Sequence, residues 1–305
     1  MSKSAGRVVR LGTRQSPLAL AQAESVAQQL SQQDPTLTVT IVGIQTKGDQ
    51  DKTSALQEIG GKGVFIKTLE HALLTGEIDI AVHSAKDITS AMHPNLTISA
   101  VLSPVARHDS MIFTNGADSI ESLPQNAIIA TGSLRRQALV KRLYPTFTCI
   151  PIRGNVQTRL DIAQEKGYDA VLLSEVGLHR LKLDPVRFQC DPKVFIPAPS
   201  QGVIAIQQRQ DDRSMHAILS ALSDPETMQI FKIERHVMQG IGFDCHIPFG
   251  FYISPGQESL TAQSFIATPN LSDAQLFTTT CPKGQWRDAI DKMVIELKEW
   301  RHAHA

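Results

Sequence analysis

"RVVRLGTRQSPLALAQAESVAQQL", residues 7 to 30, decides the fold class. Its start is a short apolar run that reads as a strand, Gly12 to Ser16 supply a turn, and the remainder has the composition of a helix. Ser16 is placed to cap that helix and Pro17 to take its first position, where a missing N–H is harmless. Outward from there, the polar break "SQQDPT" (31–36) leads to a second strand, "LTVTIVGIQT" (37–46). Glycine-rich "IGGKGVF" (59–65), a helix "IKTLEHALLTGE" (66–77) and the apolar strand "IDIAVHS" (78–84) follow. Strands alternating with helices predict parallel pairing with crossover helices, the α/β class.

The same logic returns after the strand "LTISAVLSP" (96–104). Strand "AIIATGS" (127–133), helix "LRRQALVKRL" (134–143), strand "TCIPIRG" (148–154), helix "VQTRLDIAQEKG" (156–167) and strand "YDAVLLSEVG" (168–177) form a second α/β series. Proline-rich "FIPAPSQG" (195–202) leads to the strand "VIAIQQR" (203–209). From about residue 225 a helix, the strand-like "FGFYIS" and "QSFIATP", and a terminal helix "WRDAIDKMVIELKEW" (286–300) read as a small α+β domain. There is no solenoid repeat and no low-complexity tract.

The 305 residues are 42% hydrophobic and 20% charged, the profile of an ordinary globular chain with room for more than one core. No apolar run reaches the roughly 18 residues of a membrane span. The start, MSKSAGRVVR, lacks the apolar stretch of a signal peptide, so a cytoplasmic location is expected. Cys149, Cys190, Cys245 and Cys281 have neither CxxC spacing nor the density of a disulfide framework. Thirty basic residues cancel thirty acidic ones, which argues against a global basic field for nucleic acid.

The arginines cluster, however: Arg135, Arg136, Arg153, Arg159 and Arg180 fall in one stretch, beside small or turn-forming residues. Guanidinium forks grip carboxylate or phosphate, so the cluster points to a compact polyanionic ligand. In "ATGSLRRQA" (130–138), Gly132 and Ser133 stand at a strand-to-helix turn, where free backbone N–H groups and two arginines can converge on an anion. A helix N-terminus is a poor place for two cations unless an anion joins them. "PIRGNVQTRL" (151–160) repeats the device with Arg153 and Arg159. "DIAVHSAKD" (79–87) puts His83, Ser84, Lys86 and Asp87 beyond an apolar strand, where open α/β sheets hold ligands; an exposed strand-end loop fits the spacing equally. "IGGKGVF" fails the phosphate-loop pattern, since Lys62 lacks the required spacing and no Ser or Thr follows it; a mobile glycine-rich loop is expected.

Cys245 lies in "GIGFDCHIPFG" (240–250). Three readings stand: a buried small hydrophobe, a metal ligand, or a thiolate with a covalent passenger. Composition favours the first, and Asp244 and His246 alone are too few convergent ligands for a metal site, so no metal is expected.

Taken together, "RLGTRQSPLALAQ", "GGKGVFIKTLE", "DIAVHSAKD", "GSLRRQA", "RGNVQTRL", "YDAVLLSEVGLHRL" and "QGVIAI" resemble the porphobilinogen deaminase (hydroxymethylbilane synthase) family, in order and over almost the whole chain. The resemblance implies two periplasmic-binding-protein-like α/β domains around a cleft plus a small α+β C-terminal domain: residues 7–102 with 203–222, 108–197, and 225–301. It implies a transferase of tetrapyrrole (haem) biosynthesis, monomeric, with porphobilinogen as its small-molecule substrate and neither nucleic acid nor membrane as partner. Four porphobilinogen units are condensed with loss of ammonia on a dipyrromethane cofactor, and hydrolysis frees linear hydroxymethylbilane. The same resemblance makes Cys245 the cofactor attachment point and Asp87 the catalytic carboxylate. It assigns Arg14, Ser16, Ser84, Lys86, Ser133, Arg135, Arg136, Arg153, Arg159, Arg180 and Gln201 to cofactor and substrate binding, and Lys62 and Phe65 to a lid loop. Hinges near 103–108 and 198–203 are implied by the need to house a growing product.

The match departs from the family's usual Gly-Gly-Cys, which is Phe243-Asp244-Cys245 here. Lys-Asp-Val-Pro becomes Lys86-Asp87-Ile88-Thr89, and "PAPSQG" replaces Pro-Ala-x-Gly-Gln-Gly. A non-catalytic paralogue binding an anionic pyrrole or porphyrin is the alternative, although such a binder has no evident need for Asp87. Arg153→Lys keeps the charge but loses the bidentate fork. Steady-state kinetics on that variant should show a raised KM for porphobilinogen or stalled elongation; unchanged kinetics would show that charge alone suffices at residue 153.

Overall fold

The computed structural model describes residues 7–45, 63–243 and 247–304. It has two compact units, the described residues of Met1–Pro104 with Val203–Phe231, and those of Val105–Gly202 with Lys232–Ala305.

The first unit is built on a five-stranded sheet. Strands β1 (Val8–Arg14), β2 (Thr38–Ile44), β3 (Ile80–Ser84) and β4 (Leu96–Leu102) are joined by the late strand β10 (Ile204–Arg209), in the order β2-β1-β3-β10-β4. β1 runs parallel to β2 and β3, whereas β10 is antiparallel to β3 and β4. The expectation of parallel pairing therefore fails at β10: this strand comes from a distant part of the chain, so no crossover helix fixes its direction. Helix α1 (Pro17–Gln33) begins as the sequence reading requires, with Ser16 Oγ accepting the Ala19 N–H at 3.3 Å. Ala23, Val26 and Leu30 of α1 pack with Ile80, Val82 and Ile206 on one face of the sheet, where Met215 and Leu219 of α6 (Arg213–Leu222) join them. Helix α2 (Gly63–Leu74) sends Leu69 and Leu73 to the other face, against Ile78 and Ala81. The helix starts before Ile66, so Phe65, expected in a loop, belongs to its first turn. Lys62 lies outside the described residues.

The second unit repeats this topology. Strands β5 (Asp109–Phe113), β6 (Ile128–Ala130), β7 (Thr148–Ile150), β8 (Ala170–Ser174) and β9 (Arg187–Gln189) are ordered β7-β6-β8-β5-β9. β6 is parallel to β7 and β8, and β5 is the antiparallel member, paired with β8 and β9. Helices α3 (Leu134–Leu143), α4 (Val156–Glu165) and α5 (Glu175–Arg180) connect them. Leu139 and Val140 of α3 share a core with Met111, Ile129 and Leu172, while Ala163 and Leu178 cover the opposite face with Ile112, Val171 and Leu173.

Helix α7 (Pro225–Gly240) precedes a three-stranded antiparallel sheet of β11 (Phe249–Pro255), β12 (Ser259–Ala267) and β13 (Ala274–Pro282), and helix α8 (Trp286–Ala303) ends the chain. Ile290, Met293, Val294 and Leu297 form the buried stripe of α8 at helical spacing. Phe265 and Ala267 of β12 enter the core that holds Met111 and Leu139, so this sheet packs within the second unit. No described helix is long and apolar enough to cross a membrane.

Candidate functional site

In the first unit, β1 and β3 are parallel neighbours, so their carboxyl ends open on one edge of the sheet. β1 ends in Arg14, immediately before the Ser16 cap. β3 ends in Ser84, and a single 3-10 turn of Ala85, Lys86 and Asp87 follows. The Ala85 N–H donates to the Val203 carbonyl at 2.9 Å and fixes this turn against the start of β10. The buried Gln22 amide of α1 holds Ser84 Oγ at 2.9 Å. Arg14, Ser16, Ser84, Lys86 and Asp87, all half-buried, are thus brought to one sheet edge by two strand ends and their turns.

His83 stands near the end of β3, and its ring nitrogen Nε2 is 2.9 Å from Gln207 Oε1 of β10. Burial pulls this imidazole down to about 4, and the Gln207 hydrogen bond and the Asp87 charge oppose the pull only in part. The sequence placed His83 beside the candidate residues but gave no sign of Gln207, which is remote in the chain.

In the second unit, the cationic stretch is organised by two turns. Gly132 precedes α3 because a Cβ there would come within 2.8 Å of the Ile152 carbonyl oxygen. Ser133 caps α3, accepting the Arg136 N–H at 3.5 Å. At the end of β7, Gly154 takes a φ of +105° and Asn155 caps α4, its side chain accepting the Thr158 N–H at 2.8 Å. Arg159 folds back to donate from Nε to the Gly154 carbonyl at 2.8 Å. Burial, together with the neighbouring charges of Arg136 and Arg153, pulls Arg159 down to about 10. These cations therefore crowd one another, at the N-terminal ends of two helices.

Arg135 and Arg136 are almost wholly buried, and the anion that joins them is Asp109, the first residue of β5. Arg135 Nη1 lies 2.8 Å from Asp109 Oδ2, and Arg136 donates to Oδ1 from Nη2 at 2.7 Å and from Nε at 3.1 Å. Gln201 adds a donation to the same carboxylate at 2.9 Å and another to the Arg107 carbonyl at 2.8 Å. Burial alone would push the Asp109 carboxyl up, but the two guanidinium charges outweigh it and hold the group well below the usual carboxylate range. Arg135 and Arg136 also donate to the carbonyls of Ile196 and Leu172, each at 2.8 Å. Arg180 donates to the Gly202 carbonyl at 2.7 Å, and burial pulls it down to about 10. Sequence reasoning missed Asp109, which holds both arginines.

Cys245 and Asp244 lie outside the described residues. The chain before them is anchored: α7 closes on Gly242, in the left-handed region at φ 59°, and the Phe243 ring packs against Phe249 with centroids 5.8 Å apart. Phe243, one of the departures at the attachment loop, thereby has a packing partner. Among the described residues no cluster of His, Cys, Asp or Glu could hold a metal ion.

Fold and site together define an α/β protein with a carboxylate-bearing turn in one unit and a cluster of arginines in the other. Residues 9–217 match the family model "Porphobilinogen deaminase, dipyromethane cofactor binding domain". The chain is 34% identical to porphobilinogen deaminase of Laribacter hongkongensis, over 94% of this chain and 93% of that one. It is 38% identical to the enzyme of that name from Natranaerobius thermophilus, over 87% of this chain and 86% of that one. A solved structure, the periplasmic VFT2 domain of Bordetella pertussis BvgS, is similar at 17% identity with a TM-score of 0.41, covering 74% of this chain and 92% of that chain. The chain belongs to the porphobilinogen deaminase family, whose matched domain binds a dipyrromethane cofactor. The donor set fits such a group: one buried carboxylate is set against two arginines, and Arg153 and Arg159 crowd beside them.

Replacing Asp109 by Asn leaves two buried guanidinium groups against a neutral side chain. Breaking a buried pair this way costs about 3–5 kcal/mol. The wild-type carboxylate, being depressed, contributes stability that is fully present above its ordinary value of 3.8 and is lost as the pH falls below it. Urea unfolding should show Asp109→Asn destabilised at neutral pH, with the gap to wild type narrowing in acid; equal midpoints at neutral pH would contradict the reading.

Proposed function

We propose that this chain is a hydroxymethylbilane synthase that condenses four porphobilinogen molecules with loss of ammonia and releases the linear tetrapyrrole by hydrolysis. The observation that carries the proposal is the crowding of Arg136, Arg153 and Arg159 at capped helix N-termini, which suits a ligand with many carboxylates. Family membership supplies the reaction class.

Cys245 is the proposed attachment point of the dipyrromethane, with Arg135, Arg136, Arg153, Arg159, Arg180, Ser133 and Gln201 holding carboxylates and pyrrole groups in place. When bound, the cofactor supplies the nucleophilic pyrrole that primes the chain. Asp87 acts at the substrate's pyrrole nitrogen. Loss of ammonia develops positive charge there, and a fixed carboxylate stabilises it and takes the proton afterwards. Arg14, Ser16, Ser84 and Lys86 orient the acetate and propionate side chains of the incoming unit. Arginine stays charged at every relevant pH, so these contacts persist while the carboxylates accumulate. Lys62 and Phe65 belong to the proposed lid segment, which shields the electrophile from water.

The three ranges 7–102 with 203–222, 108–197 and 225–301 are the proposed domains, since each supplies the strands of one sheet. A monomer in the cytoplasm with a small-molecule substrate completes the reading. The test is the denatured intact mass of the purified chain beside its Cys245→Ser variant. Wild type alone should carry a covalent increment equal to a dipyrromethane. No increment on either, even after incubation with porphobilinogen, would overturn the attachment.

A further inference from the structure

Side chains of β3 alternate between the faces of the first unit's sheet: Ile80 and Val82 pack with α1, whereas Ala81 packs with α2. His83 follows Ala81 on that second face by the period of two. Gln207, which contacts the His83 ring, is itself 1% exposed and donates from Nε2 to Glu70 Oε1 of α2 at 2.9 Å. A hydrogen-bonded column therefore runs from helix α2 through β10 to the end of β3.

Chemistry fixes the direction of every bond in this column. An ionised carboxylate accepts only, so the Gln207 amide must turn its NH2 to Glu70 and its oxygen to His83. Facing an acceptor, His83 Nε2 must carry the hydrogen, which leaves Nδ1 of the neutral ring without one. Glu70 thus sets the tautomer of a histidine that it does not touch.

β10 brings the uncharged Gln207, α1 brings the uncharged Gln22 to the adjacent Ser84, and α2 brings Glu70 one amide away. β1 ends in Arg14, and the turn after β3 brings Asp87, whose charge favours an imidazolium, as does the Gln207 hydrogen bond. Desolvation of the buried ring opposes it and prevails. We propose that Glu70, Gln207 and His83 form a positioning column that fixes the buried, neutral His83 in its Nε2-protonated tautomer, so that no imidazolium pairs with Asp87. This deepens, and rests on, the reading of Asp87 as the catalytic carboxylate.

The test combines ring nitrogen NMR and kinetics on the cofactor-loaded enzyme. Histidine-labelled protein, with His83 assigned by its loss in His83→Gln, should show the Nε2–H tautomer from about pH 8 down to about pH 5, unlike an exposed histidine that titrates near 6.5. Gln207→Glu places a second carboxylate against the ring and should charge it near neutral pH. Its kcat should then fall about tenfold per pH unit below the new imidazole pKa while KM for porphobilinogen stays constant. Glu70→Gln offers Gln207 either a donor or an acceptor, so a second tautomer should appear without a change of fold. An Nδ1–H or charged ring in wild type, a single Nε2–H tautomer in Glu70→Gln, or a Gln207→Glu ring that charges while kcat follows the wild-type profile would each overturn the proposal. The NMR result does not depend on turnover. If Asp87→Asn proved fully active, the catalytic reading would fail while the tautomer result stood.

Discussion

A buried carboxylate with two arginines on it governs the second unit. Asp109, fully inaccessible at the start of β5, binds Arg135 and Arg136 of α3 and the amide of Gln201, and so ties together a strand, a helix and the segment after Ile196. Two guanidinium groups at a helix N-terminus repel each other and the helix dipole. One carboxylate, reinforced by the carbonyls of Leu172 and Ile196, makes their burial tolerable and still leaves an excess of positive charge. Arg153 and Arg159 stand beside this pair in a chain whose total charge is zero.

The first unit gathers its candidate residues at the ends of β1 and β3. The turn that carries Lys86 and Asp87 is held by the Val203 carbonyl and preceded by Ser84 and the neutral His83. Each cluster is built from strand ends and helix caps.

Much of this was legible in the sequence because it depends on local chemistry. Ser16 with Pro17, Ser133 and Asn155 mark helix starts by residue type, and strand-end runs such as "IDIAVHS" announce buried strands by composition. Strand direction is not encoded in such runs, which is why antiparallel β5 and β10 could not be told from parallel strands. "DSMIF" was passed over as a strand because it opens on Asp109, whose burial makes sense only with arginines from a later helix. "AQLFTTTCP" of β13 was missed for a different reason: three successive threonines occupy both faces of an edge strand and leave too few apolar residues to show the period. The Glu70–Gln207–His83 column joins residues far apart in the chain, and no spacing rule could have found it.

The central claim is that Asp87 supplies the charge on which pyrrole condensation depends, and single-turnover ammonia release from porphobilinogen by cofactor-loaded Asp87→Asn tests it most directly. The substitution keeps the shape of the turn and removes its charge. The account predicts a variant that folds and retains its covalent dipyrromethane while ammonia release slows by at least about 100-fold. Release at the wild-type rate would contradict it.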